Sequence, residues 1–297
     1  MRAKSSSTGA VGGRWYTPWL FLVPGLTLFG VFFVWPAATA IQLAFYKYDV
    51  VTAPVFVGMR NFAHLLEDDR FWSAVRNSLI LLVGLLPMSV VIPLLLAVLV
   101  NQKLRFIQVY RLIYYLPVVT SMVAVAVAWN YVFHHQGVIN WMLTGFGILD
   151  EPVQYLLDPN WALAALTVVE GWKGMGTYMM IYLAGLQAIP GDLYEAARMD
   201  GANAWQRLRS VTIPLIVPYF AVALTIEMMD AMQVFTSVYV MTKGGPQDHT
   251  LTLGYYIWSA AFEQYDMGYA SAMGLVLWAL LIAFALLNYR LTKGRTV

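Results

Sequence analysis

An all-α integral membrane fold is predicted for this 297-residue chain from three features: its apolar fraction, its scarcity of charge, and six long hydrophobic stretches separated by polar intervals. Hydrophobic residues make up 60% of the chain and charged residues 11%, against about 25% charged in a soluble domain. Mean hydropathy is +0.64. A net charge of +2 is too small to indicate nucleic acid as a partner or a polybasic face. With no cysteine there are no disulfides, thiolate metal sites or cysteine nucleophiles. Of four histidines only His134 and His135 are close, and adjacent residues point to different sides of a helix, so no metal site is expected.

Residues 1–14 are basic and rich in Ser and Gly, the composition of a flexible tail. A transmembrane domain is expected over 15–297. Between Trp15 and Tyr46 there is no charged residue until Lys47. That run exceeds the roughly 7–15-residue core of a signal peptide, so it reads as a retained span. About 20 apolar residues cross the hydrocarbon layer, and six stretches reach that length: 18–45, 77–100, 112–133, 161–189, 211–240 and 267–289. Pro24, Pro36, Pro87, Pro93 and Pro117 fall within them. Such prolines are tolerated in membrane helices because neighbours and water satisfy the freed carbonyls.

Lys and Arg set the expected orientation. With the N-terminus inside, twelve lie in cytoplasmic segments and five (Lys47, Arg60, Arg70, Arg76 and Lys243) lie outside. This is a positive-inside distribution, so both termini and the interval between the fourth and fifth spans are expected in the cytoplasm. Outer segments 61–69 and 255–265 look amphipathic and suited to lying along the membrane surface.

The interval 190–210 is polar although it joins two apolar spans. Pro190 and Gly191 end the fourth span. Asp192 is placed to cap a helix start while Glu195 reaches back. Ala196, Ala197 and Arg198 favour helix, and Gly201 breaks it. Asn203 and Gln206 repeat the capping pattern and start a second short helix, expected to end near Ser210. The result is helix, glycine turn, helix. Local capping accounts for Glu195 by itself, and an ordinary amphipathic surface loop fits these residues as well.

Glu195-Ala196-Ala197, three residues and then Gly201, stand within EAARMDGANAWQRLRSVTIPLIVP. This segment resembles the EAA loop of permease subunits of bacterial ABC importers, in the form carried by sugar permeases of the maltose and glycerol-phosphate type. LAGLQAIPGDLYEAA before it and TKGGP at 242–246 match as well, and the likeness runs from LFLVPGL in the first span to the sixth. The resemblance implies that the loop's short helix sits in a groove on an ATP-hydrolysing subunit. Glu195, Ala196, Ala197, Asp200 and Gly201 would form its centre, the alanines permitting close approach and the glycine the turn. It also implies a distinct second permease subunit, two ATP-binding subunits, an extracytoplasmic solute-binding protein and a bacterial inner membrane whose lipid surrounds the spans. ATP and magnesium would belong to the partner ATPase, with no cofactor in this chain. In agreement, no G-x-x-x-x-G-K-[ST] is present, and Gly171-Trp-Lys-Gly-Met-Gly lacks the order and spacing. Nor is there an H-E-x-x-H or G-x-S-x-G, so no enzyme is expected.

Four ionisable residues fall inside the predicted spans. Each costs about 2.5–3.5 kcal/mol at mid-bilayer on insertion scales, so each should face protein or a water-filled cavity. Glu170 and Lys173, three apart, can neutralise one another on one helix face, a role as structural as it is functional. Glu227 and Asp230 share the spacing but carry like charge, and Gln233 extends their face. They need a cation, water or a ligand's hydroxyl groups, unless one is protonated. Carboxylates and amides accept from sugar hydroxyls, and Trp172, Tyr178 and Phe235 are placed to pack on a sugar ring. A neutral polyhydroxylated solute passing along the fourth and fifth spans is therefore expected. A glycerol phosphate would call for more Arg or Lys than Lys173 alone. An ion-coupled secondary transporter is the alternative of a different class, although such proteins usually show internal repeats, and none is evident here.

Overall fold

A computed structural model describes residues 16–101 and 105–292. The expected tail at 1–14 and the basic residues Lys103, Lys293 and Arg295 lie outside that range. The described chain is predominantly helical. α1 (Thr17–Phe29) and α2 (Trp35–Leu43) are joined by a π turn, Gly30–Val34. A two-residue hairpin follows, β1 (Tyr46–Lys47) antiparallel to β2 (Val55–Phe56), with Tyr46 opposite Phe56. α3 (Arg60–Glu67) leads into α4 (Asp69–Leu86), which continues through a π turn, Pro87–Val91, into α5 (Ile92–Val100). α6 (Ile107–Val119), α7 (Met122–Val132), α8 (Val138–Gly145) and the 27-residue α9 (Ala162–Ala188) follow. After α9 come α10 (Gly191–Met199) and α11 (Ala204–Arg207), which runs through the π turn Leu208–Thr212 into α12 (Ile213–Met232). α13 (Thr236–Met241), α14 (Leu253–Phe262) and α15 (Met267–Thr292) complete the chain.

Three of the prolines in the long helices share one arrangement. Each π turn immediately precedes a helix with proline at its second position: Pro36, Pro93 and Pro214. A proline has no N–H for the carbonyl four residues back, and its ring crowds that carbonyl. Those carbonyls belong to Phe32, Ser89 and Ser210, the central residue of each π turn. The residue before each proline instead bonds five back, to Gly30, Pro87 and Leu208. The wider turn is how the helix absorbs the missing donor.

Among the described residues, four helices are long and apolar enough to cross a membrane: Trp19–Leu43, Asp69–Val100, Ala204–Met241 and Met267–Thr292. A fifth results if α6 and α7 count as one span, yet they meet at 98°. The single span expected over 112–133 is thus broken into two helices. Pro117 lacks a donor for the last turn of α6, Thr120 Oγ1 caps Pro117 O at 2.5 Å, and Thr120 and Ser121 are both extended. α9 coincides with the expected fourth span; at about 1.5 Å per residue it is long enough to cross, but Glu170, Lys173 and its glycines make it less apolar. The stretch expected as one helix over 211–240 ends at Met232 and resumes at Thr236. There Thr252 Oγ1 takes Val234 O at 2.7 Å, and Gly254 presses on the carbonyls of Gln233 and Val234. The segment 255–265, expected along the surface, instead contributes Tyr255, Tyr256, Ala260 and Ala261 to the core.

α9 organises the interior, since it supplies residues to all three hydrophobic clusters. Leu166 packs with α4, α12, α14 and α15; Tyr178 to Leu186 pack with α5 and α12; Ala165 and Val169 pack with α7. Its glycines set the approach distances. A Cβ on Gly171 would lie 2.3 Å from Met88 Sδ, and one on Gly185 2.7 Å from the Tyr219 ring.

A polar network ties the α4 start to the last two helices. Asp68 accepts from Tyr256 at 2.6 Å and from the Tyr269 hydroxyl, while Arg70 forms a bidentate pair with Asp248 at 2.9 Å and lies over the Tyr256 ring. Burial alone would raise the Asp68 carboxyl, but the hydroxyls of Tyr256 and Tyr269 and the N–H groups of Phe71 and Arg70 outweigh it and hold it below the usual carboxylate range. A lowered folded-state value contributes stability above the unfolded value that is lost as pH falls through the folded one. Thermal unfolding should therefore fall more steeply for the wild type than for Asp68→Asn as pH drops below about 4. Parallel profiles would remove Asp68 from the acid response.

Candidate functional site

The charged residues of α9 and α12 converge. Glu170, Lys173 and Tyr178 from α9 and Glu227 and Asp230 from α12 line one cavity of about 190 Å³. Glu227 is only 4% exposed. Four of the five charged or aromatic candidates come from the i, i+3 pairs, because that spacing puts both members on the helix face turned to the neighbour. Tyr178 Oη donates to Asp230 Oδ2 at 3.5 Å. Ser89, from the π turn after α4, and Thr177 add hydroxyls to the wall, and Val118 and Leu85 close it. The lining thus holds three carboxylates, one ammonium and three hydroxyl groups.

Glu170 and Lys173 do not form the ion pair their spacing allows. The Ser237 hydroxyl donates to Glu170 Oε1, and Lys173 Nζ donates to Val118 O at 3.4 Å. Among the described residues the ion pair is Arg70–Asp248. Each member is taken by a different helix, α13 for Glu170 and α6 for Lys173, so the two are held apart rather than paired.

Three sequence candidates lie elsewhere. Trp172 stands edge-on to Trp129, with centroids 5.6 Å apart. Gln233 folds back so that its Nε2 donates to Met229 O at 3.1 Å. Phe235 belongs to an aromatic group with Tyr239, Tyr255 and Trp258, 5.3 Å from the Trp258 ring. Ser89 and Thr177 are the polar lining residues that the sequence does not single out. The signal for Ser89 was its place four residues before Pro93, where the chain widens; a lone threonine on a mixed helix gives none.

The second candidate element is the turn between α10 and α11. Glu195, Ala196, Asp200 and Gly201 are exposed and Ala197 is half-buried. Gly201 has φ +78°. Its N–H reaches Arg198 O at 3.0 Å and the Ala202 N–H reaches Ala197 O at 2.9 Å. These two bonds make a complete Schellman termination, which needs a left-handed residue at the Gly201 position. The Asn203–Gln206 capping box forms as read, with bonds of 2.9 and 2.8 Å. The Asp192 cap does not. The helix starts two residues earlier than such a cap would place it, at Gly191 behind an extended Pro190, which puts Asp192 inside the first turn and Glu195 beyond reach of the start. Nor does the second helix stop near Ser210: it passes through its π turn into α12. Motion of this turn is therefore joined covalently, through one helix, to Glu227 and Asp230.

Residues 70–297 match the family described as binding-protein-dependent transport system inner membrane component. The chain is 32% identical to the lactose transport system permease protein of Rhizobium radiobacter over 93% of this chain and 94% of that one. It is 31% identical to the trehalose/maltose transport system permease protein of Thermococcus litoralis, again over 93% and 94%. Among solved structures it resembles a chain of a bacterial ABC transporter involved in import of the acidic polysaccharide alginate, with a TM-score of 0.80, 27% identity, and 95% and 96% of the two chains covered.

Proposed function

We propose that this chain, which belongs to the family of binding-protein-dependent transport system inner membrane components, forms half of the translocation pathway of an ABC importer for a sugar, oligosaccharide or related polyol. It is a transport permease of the inner membrane and not an enzyme. The observation that supports the pathway is the cavity between α9 and α12, where Glu170, Lys173, Glu227 and Asp230 meet. Carboxylates and hydroxyls that face one another across a small space accept and donate to the hydroxyl groups of a neutral sugar. Three carboxylates against one lysine disfavour a phosphate or uronate solute in this half of the pore. Relatives that carry lactose or trehalose and maltose in their names support the same class.

In this reading α1 with α2, α4 with α5, α6 with α7, α9, α12 with α13, and α15 make six spans, and both termini lie in the cytoplasm with the 190–210 turn. A second permease completes the pore. Two ATP-binding subunits, which hold ATP and magnesium, dock on Glu195, Ala196, Ala197, Asp200 and Gly201. A solute-binding protein delivers the sugar from outside, as in the related alginate importer, which was solved with a periplasmic protein bound to alginate pentasaccharide.

The test is uptake of lactose and maltose by the assembled importer in proteoliposomes. ATP-dependent uptake is expected, and Glu227→Gln with Asp230→Asn should lower it at least about tenfold, equivalent to about 1.4 kcal/mol. Unaltered uptake by the double variant would take this face out of the pathway. Uptake driven by a proton gradient without any ATPase would instead establish an ion-coupled transporter.

A further inference from the structure

A larger cavity, of about 740 Å³, lies apart from the polar one. It opens where the ends of α5 and α9 meet α10, α11 and the following π turn. Its polar side carries two guanidinium groups, Arg198 and Arg207, and Asn101; its apolar side carries Val98, Leu186 and Leu208. Among the described residues no acidic one lines it. Among the described residues neither arginine is in an ion pair, and the bond that Arg207 Nη1 makes to Ala202 O, at 3.0 Å, leaves four of its donors available. Trp205 stands in the rim, 67% exposed, and an indole of this kind is characteristic of the headgroup level. A third guanidinium is near: Arg111 donates to Val100 O, next to Asn101.

We propose that this cavity binds an anionic phospholipid of the inner leaflet, its phosphate on Arg198 and Arg207 and the first part of an acyl chain along Val98, Leu186 and Leu208. The inner leaflet is rich in anionic lipid, and basic pockets between membrane helices on that side accept such headgroups. A free phosphate would satisfy the arginines but leave the apolar wall wet. A zwitterionic lipid would bring its cation against two more. The net charge of +2 gives no hint of this, because it averages over the chain a charge that the fold concentrates. The lipid would bridge α10 to the span ends and stiffen the joint through which the turn acts on α12. The inference rests on the cytoplasmic placement of the 190–210 turn proposed above.

Native mass spectrometry of the full-length chain, titrated with phosphatidylglycerol and with phosphatidylcholine, tests it. Phosphatidylglycerol is expected to be retained about tenfold better, which corresponds to about 1.4 kcal/mol. That preference should vanish in Arg198→Gln with Arg207→Gln and persist in Arg198→Lys with Arg207→Lys, which separates charge from folding. Equal retention of the two lipids, or an unchanged preference in the Gln variant, overturns the proposal. So does full displacement by millimolar inorganic phosphate, which would make the ligand a soluble phosphate. Orientation is read separately. The chain has no cysteine, so Met199→Cys, at a residue 89% exposed, reports its side to an impermeant maleimide. Labelling from the outside would refute the cytoplasmic placement whatever lipid is retained.

Discussion

Gly176→Val is expected to yield little folded protein. A Cβ at Gly176 would stand 2.4 Å from Tyr114 O, 2.8 Å from Val118 Cγ2 and 3.2 Å from Tyr114 C. The obstacle is mainly backbone, which no rotamer change moves aside. Relief requires α6 to back away from α9, and α9 also carries residues of all three hydrophobic clusters. Overpacking of an ordinary core costs about 1–3 kcal/mol, and a carbonyl contact this short belongs at or above the upper end. Small residues where membrane helices cross serve close approach, so the loss should be visible in any lipid or detergent. The measurement is the yield of monodisperse protein and its unfolding temperature. Gly274→Ala is the control: nothing lies within 4 Å of its added methyl, and Ala replaces Gly inside α15 with a gain of up to about 1 kcal/mol. An unchanged unfolding temperature for Gly176→Val would refute the close α6–α9 contact.

Gly201→Pro should abolish ATP-driven uptake while leaving the chain folded in the membrane. The obstacle here is conformational rather than steric, since nothing lies within 4 Å of a Cβ at this position. Gly201 sits at φ +78°, whereas proline is confined near −65° and has no N–H for Arg198 O. Both requirements of the Schellman turn are lost together. α10 can then no longer turn into α11 at the angle that sets their exposed residues. Gly201→Ala keeps the N–H and pays only for the left-handed conformation, about 1–2 kcal/mol, so its uptake should fall several-fold rather than disappear. Uptake and co-purification of the ATP-binding subunit would be measured together. Normal ATP-driven uptake by the proline variant would contradict the docking role of this turn.

The unequal success of sequence reading within 190–210 has a physical origin. The Asn203–Gln206 box was legible because all its atoms lie within four consecutive residues. The Asp192 cap failed because Pro190 is extended and the helix begins two residues earlier, at Gly191, a small shift that composition does not resolve. The same limit governs the charged pairs. Helical spacing showed that Glu170 and Lys173 share a face, and Glu227 and Asp230 another, but not what the neighbouring helix offers each. Ser237 and the Val118 carbonyl took the two members of the first pair separately. Trp172, Gln233 and Phe235 were placed by type and proximity in the chain, and each found a partner outside the cavity.

By itself the sequence determined what depends on short-range chemistry: apolar stretches long enough to cross a membrane, a helix, glycine turn and helix within 190–210, and buried charges that must face something polar. Tertiary structure alone decided the end of α12 at Met232 and the meeting of α9 and α12 around one small cavity. The end of α12 shows the reason most directly. No proline or glycine stands at 233–235, and the break coincides with Thr252 and Gly254 on the carbonyls of Gln233 and Val234. Those contacts join residues about twenty positions apart, beyond the reach of any local pattern.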